Sequence, residues 1–314
     1  MKKEYRQTSM VWLGASVIWI AVFLTQIVVG RIVKTVAPDL ANNSVFLILF
    51  STMPIYVVGI PLSLVFFRFA EATPPTEKRK LPPLIFLAVV GVCFALSIVG
   101  SVIGQGVNHV ISSITGLPTV DPVEEITAGV PFFVNYLVVA VAAPIMEELV
   151  YRKLVIDRLR RYGEIPAVLF SGLLFGATHG NFTQFFYAFF LGVVFGAVYC
   201  ATGKLRYTIA LHMIINGFAT VSSLFALTPT ELENLDAETL FSSLPAIIWR
   251  LLQLAIYLSS IIATPFAFAW IIPRLRPASA TVDLPRDQSL RVALLNPALW
   301  LLVILLAAMF ILSL

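Results

Sequence analysis

The sequence predicts an all-α protein, a polytopic bundle of eight to nine transmembrane helices. Three observations predict it. Of the 314 residues, 59% are hydrophobic and only 12% are charged. A soluble domain carries about 25% charged residues, so this chain cannot cover a water-facing surface. Its mean hydropathy is +0.93. Its apolar residues also fall in runs near the ~20 residues that a helix needs to cross the hydrocarbon core.

The runs are 10–29, 45–67, 84–104, 130–151, 166–179, 182–201, 207–227, 244–272 and 292–314, nine in all, with the fifth short. The first follows Met-Lys-Lys-Glu-Tyr-Arg and resembles a signal sequence. It is longer than a typical signal core and shows no small-x-small cleavage site, so it reads as the first span. Pro-rich stretches at 73–83 and 273–285 read as loops. Gly172-x-x-x-Gly176 and Gly192-x-x-x-Gly196 in spans five and six allow close helix contact. Cys93 and Cys200 each lie inside an apolar run, which argues against a disulfide framework. The chain divides into N-terminal helices with an external loop (1–129), a central helical core (130–227), and an acidic loop with C-terminal helices (228–314).

Charge sets the expected orientation. Lys2, Lys3 and Arg6, then the stretches 68–80, 152–161, 202–206 and 273–291, carry most of the basic residues. The 105–129 loop has Asp121, Glu124 and Glu125 without a base, and 228–243 has Glu231, Glu233, Asp236 and Glu238 without one. Only Arg31 and Lys34 dissent. This bias predicts a multi-pass cell-membrane protein with a cytoplasmic N-terminus and an external C-terminus. It also accounts for the net charge of +4 without nucleic acid.

Ionisable residues inside spans are costly and mark functional sites. The first group is Glu147-Glu148-x-x-x-Arg152 in span four. Glu148 and Arg152 are i,i+4 neighbours able to pair, whereas Glu147 points about 100° away. The second is Phe175-x-x-x-His179, at the end of span five. Asn181 with Gln184 then reads as the cap of span six. The third is His212-x-x-x-Asn216 in span seven, with both polar groups on one face. Along ideal helices the three groups lie roughly 16, 20 and 9–12 Å from the basic side, differences that tilt can close.

Such a cluster suits peptide hydrolysis. A carboxylate in an apolar site can serve as general base, and a histidine can position the attacking water. A second histidine with an asparagine can supply donors to an oxyanion. A glutamate with two histidines is equally a zinc-ligand set, here Glu147, His179 and His212. Structural ion pairing, interhelical hydrogen bonding, or a proton relay in a transporter remain the alternatives. A transporter is disfavoured by the lack of an inverted repeat or a Gly/Pro-broken helix pair.

The three motifs, in this order on successive membrane helices, resemble the CPBP family. This is the CAAX protease and bacteriocin-processing family, also called Abi or type II CAAX prenyl endopeptidase-like. The resemblance covers roughly Pro131 to Phe225. It implies a membrane-embedded endopeptidase acting on a peptide or protein substrate at the bilayer. Glu147 would activate water, His179 would assist, His212 and Asn216 would form the oxyanion hole, and Glu148 and Arg152 would support them. A metalloprotease and a metal-free glutamate mechanism both stay open, though Asn216 is a poor zinc ligand and a good oxyanion donor. A non-catalytic transporter, immunity or scaffold protein is the second reading. No His-Glu-x-x-His is present, and no Asp lies in the catalytic spans. Ser171-Gly172 lacks the preceding Gly of a rhomboid motif, so Ser171 reads as a helix-packing residue. His109 is expected in an external loop segment, apart from the site.

Overall fold

The computed structural model describes residues 1–76, 78–116, 126–127, 129–225, 243–271, 280–282, 285, 288, 292 and 295–312. The acidic residues expected on the external loops, and Arg274, Arg276, Arg286 and Arg291, lie outside them. Among the described residues there are nine helical rods and no strand. They are α1 (Lys2–Val36), α2 (Ser44–Phe67), α3 (Pro83–Thr115), α4 (Phe132–Tyr162), α5 (Glu164–Ala177), α6 (Phe182–Thr202), α7 (Leu205–Ser223), α8 (Leu244–Ile271) and α9 (Pro297–Leu312). Six are long and apolar enough to cross a bilayer. Leu24, Val57, Val102, Ile262 and Ile304 are exposed on the outside of the bundle, as a lipid-facing surface requires. The chain is a multi-pass membrane protein.

Two expectations are corrected. Helix α3 runs on to Thr115, so the segment holding Asn108 and His109 is helical rather than loop. The polar residues after Gly104 hid a continuing helix, which stops only at Gly116, where φ is 72°. A left-handed residue of that kind is the usual glycine stop signal. Helix α1 likewise extends through Arg31 and Lys34, the two dissenting bases, to Val36.

The basic stretches meet at one end of the bundle. Lys3 pairs with Glu71 at 2.9 Å, and Arg161 reaches Glu71 at 2.7 Å and Glu4 at 3.4 Å. The Arg79 N–H donates to the Thr202 carbonyl at 2.9 Å. Hydrogen bonds from Lys3 and Arg161 hold the Glu71 carboxyl below its usual range. From this end the hairpin of α5 and α6 rises into the bundle. Helix α5 has 14 residues, about 21 Å, less than the ~30 Å hydrocarbon core. Its tip therefore sits at depth.

Helix α6 is central and lies against α3, α5 and α7. Glycines make these approaches. A Cβ on Gly192 would stand 2.8 Å from the Gly172 Cα and 3.0 Å from the Phe175 ring. Gly100 on α3 lies so close to the Tyr187 backbone that no side chain fits between them. We expect Gly192→Val to cost about 1–3 kcal/mol by overpacking. Thermal unfolding in detergent reads this directly. One apolar cluster, including Trp12, Phe67, Val155, Phe175 and Leu302, draws on α1, α2, α4, α5 and α9 together.

Prolines shape two helices. Proline lacks an N–H and cannot close the α-helical ladder. Pro54 precedes an i→i+5 stretch, Ile55–Gly59, in α2. In α4 such stretches run over Tyr136–Ala142 and Leu149–Ile156, on either side of the α-helical Ala143–Glu148. Wide turns of this kind inside a helix frequently sit at functional sites.

Candidate active site

Glu148 and Arg152 are both fully buried. Arg152 Nε donates to Glu148 Oε2 at 2.9 Å and Nη2 to Oε1 at 3.0 Å, a two-pronged pair. Its Nη1 donates to Ser171 Oγ at 2.9 Å, and Ser171 donates to the Tyr151 carbonyl at 2.9 Å. Ser171 is therefore a hydrogen-bonding partner of the ion pair, beyond the packing role read from sequence. The guanidinium also lies against the rings of Phe175 and Phe195, at 5.3 and 5.7 Å. Burying an ion pair is costly unless further hydrogen bonds serve its remaining donors, and the Ser171 hydroxyl serves Nη1.

His212 joins the two glutamates. It is 3% exposed. Its Nδ1–H donates to Glu148 Oε1 at 3.3 Å, which turns Nε2 toward Glu147 Oε2 at 3.7 Å. The ideal-helix reading turned Glu147 away from its neighbour, yet one imidazole touches both. The 3.7 Å gap is too long for a direct hydrogen bond. Glu147 is the accessible member, with its side chain 28% exposed.

His179 is held by the end of its own helix. The last carbonyls of a helix lack intrahelical donors. The His179 N–H bonds to Gly176 O, leaving Phe175 O for side chains. His179 Nδ1–H donates to it at 2.8 Å and Thr178 Oγ1 at 3.0 Å. Tyr151 braces Thr178 with a 2.7 Å hydrogen bond. The carbonyl can only accept, so Nδ1 carries the proton and Nε2 stays available. The Phe175 ring touches both imidazoles edge-on, at 5.3 Å from His179 and 5.4 Å from His212.

The place of Asn216 follows from Pro144. In an α-helix the Ala143 N–H would serve Val139 O, but here it bonds to Val138 O. In the i→i+5 register Val139 O would need the N–H of residue 144, and a proline has none. Asn216 Nδ2 donates to this orphaned carbonyl at 2.9 Å. One amide hydrogen is thus engaged, and among the described residues the other makes no hydrogen bond. Asn216 meets the site through the backbone of α4.

A cavity of about 110 Å³ joins Glu147 to His179. Tyr151 and Thr178 also line it, as do Trp19 of α1 and Tyr56 of α2. Sequence reasoning singled out none of these four. Tyr151 stood beside Arg152 and Thr178 beside His179, so adjacency was a usable signal for two of them. For Trp19 and Tyr56 there was none. The zinc set of Glu147, His179 and His212 does not assemble: among the described residues no three His, Cys, Asp or Glu side chains gather closely enough to hold a metal ion.

Residues 129–218 match the model of the family described as type II CAAX prenyl endopeptidase Rce1-like. The membrane-embedded CAAX protease MroQ of Staphylococcus aureus (strain USA300) is 31% identical over 129 residues, which cover 38% of this chain and 51% of that protein. The match thus spans about half of the relative's length. No solved structure matches the chain significantly. All six side chains singled out above, from Glu147 to Asn216, fall within the matched segment, residues 129–218, and it is over that segment that the chain is similar to the type II CAAX prenyl endopeptidase Rce1-like family.

Proposed function

We propose that this chain is a membrane-embedded endopeptidase that hydrolyses a peptide bond of a membrane-associated peptide or protein with a water activated by Glu147. The observation that carries the reading is the 3.7 Å approach of His212 Nε2 to Glu147 Oε2, with Glu147 open to a cavity that it shares with His179. Water in that cavity gives a proton to Glu147 while His179 Nε2 holds it by a hydrogen bond. Its oxygen then attacks the scissile carbonyl carbon. The charge that develops on the carbonyl oxygen meets the second amide hydrogen of Asn216 and the imidazole of His212, which Glu148 holds in place through Nδ1. Glu147 returns its proton to the leaving amine as the C–N bond breaks.

The family match favours a protease, and the name of the relative points to CAAX-like peptides as a first substrate class. Positive-inside bias assigns the end holding Lys3, Arg79 and Arg161 to the cytoplasm. The test is purified protein in proteoliposomes with membrane-associated peptides, read by mass spectrometry of new termini. Glu147-dependent solute uptake without cleavage would replace this reading with a transporter.

Two further outcomes follow. Asn216→Ala should lower kcat by about 10²–10³, the usual cost of losing one oxyanion donor, with little change in KM. Loss of its bond to Val139 O should also cost about 1–3 kcal/mol of stability. An effect on stability alone would leave Asn216 a structural residue. In the second experiment, strong chelators leave the rate unchanged. Activity lost to chelator and regained with zinc would overturn the metal-free mechanism.

A further inference from the structure

We infer that the last helix, α9, positions His179 through Met309 and Phe310; the inference rests on the hydrolase reading for its kinetic consequence. Helix α9 lies outside the 129–218 family match and carries no residue of the site. It is anchored at both ends. At its start Asn296, fully buried, donates through Nδ2 to Thr8 Oγ1 at 3.1 Å and to Ser9 Oγ at 3.0 Å on α1. Asn296 Oδ1 accepts from the Ala298 N–H at 3.1 Å and so caps the helix. Leu299, Leu302 and Leu306 follow at helical spacing into the core. Met309 continues the same face.

That face ends on the α5–α6 tip. A Cβ on Gly180 would stand 3.0 Å from Met309 Cβ and 3.1 Å from its Cε. The Phe310 ring lies 4.8 Å from Phe182 and 5.7 Å from Phe185 in the first turn of α6. Gly180 immediately follows His179 and has φ of 69°, a left-handed conformation in which glycine is at ease. The other side of the tip is tied internally. Asn181 Nδ2 donates to the His179 carbonyl at 2.8 Å and to Gln184 Oε1 at 2.9 Å, while Asn181 Oδ1 caps α6 through the Gln184 N–H. The tip is a compact unit packed between α3, where Asn108 Nδ2 donates to Thr183 Oγ1 at 2.7 Å and Gly104 lies against the Phe182 carbonyl, and α9, whose Met309 is the part that meets Gly180 beside His179. A shift of that contact carries the His179 backbone with it and changes where Nε2 stands in the cavity.

The experiment uses full-length protein in nanodiscs, as wild type, Met309→Ala, the double variant Met309→Ala/Phe310→Ala, and the conservative Phe310→Leu. The double variant should lose roughly ten- to hundredfold in kcat, the scale of a misplaced catalytic group, with KM unchanged. Phe310→Leu should remain near wild type. The chain has three histidines, His109, His179 and His212. A sample labelled with ¹⁵N-histidine therefore reports each imidazole. The His179 resonances should shift or broaden in the alanine variants while those of His109 and His212 hold. Unchanged His179 signals overturn the inference, as do equal shifts at all three histidines, which would mean general loosening. Should the double variant not fold, Met309→Ala alone decides by the same signals. If wild-type protein cleaves nothing, the hydrolase reading fails, and the ¹⁵N signals still decide whether α9 seats His179.

Discussion

Glu147→Gln protein should be inserted and folded like wild type and yet cleave its peptide about 10²–10⁴ times more slowly, the range of a general base. The change keeps size and hydrogen-bonding shape and removes only the ability to take a proton. Stability should hardly move. Glu147 is partly exposed on a cavity wall, and among the described residues its close polar neighbour is His212 Nε2 at 3.7 Å. Nothing buried is left unpaired by the substitution. The measurement is single-turnover cleavage in proteoliposomes, beside a thermal melt of the same preparation. Wild-type turnover would sink the role given to Glu147 here. Loss of turnover with a lowered melting temperature would show instead that Glu147 is structural.

Arg152→Leu should behave in the opposite way, with its first effect on stability. Removing one partner of a buried ion pair typically costs 3–5 kcal/mol, so about that loss is expected. The reason is local. Glu148 would stay buried with the His212 contact at 3.3 Å and the Thr208 hydroxyl left to offset its charge, and Ser171 would lose a donor. A second replacement separates fold from function. In Glu148→Met/Arg152→Leu no charge is stranded, and pairs replaced together by apolar groups are often neutral or stabilising. The double variant should therefore regain much of the stability. It should remain nearly inactive, because His212 Nδ1–H has lost its acceptor and nothing turns Nε2 toward Glu147. Recovery of both stability and activity would reduce Glu148 to half of a structural pair.

Much of this arrangement was legible before any fold was known. The nine helices are visible as apolar runs because hydrophobic length is a local property. The ends were less legible. The α3 extension past Gly104 and the α1 extension past Val29 carry polar residues that end an apolar run without ending a helix. The Glu148–Arg152 pair could be read because i,i+4 neighbours meet on any helix. The partner of His212 could not. It depends on how α7 rotates against α4, and the angular offset of Glu147 is altered by i→i+5 turns on both sides of it.

The sequence by itself determined that this chain spans a membrane many times and that Glu147, Glu148, Arg152, His179, His212 and Asn216 are the polar residues to explain. Composition and short-range spacing suffice for both, since charge inside a span is costly wherever it lies. Only the tertiary structure decided how these residues are used. It gave His212 to both glutamates, and it gave Asn216 to the carbonyl that Pro144 leaves unbonded. It lined the cavity with Trp19 and Tyr56 from helices far away in the chain, and it set Met309 of α9 against Gly180, next to His179. These are contacts between helices. They follow from the rotation, depth and register at which rods pack, which no local pattern of residues specifies.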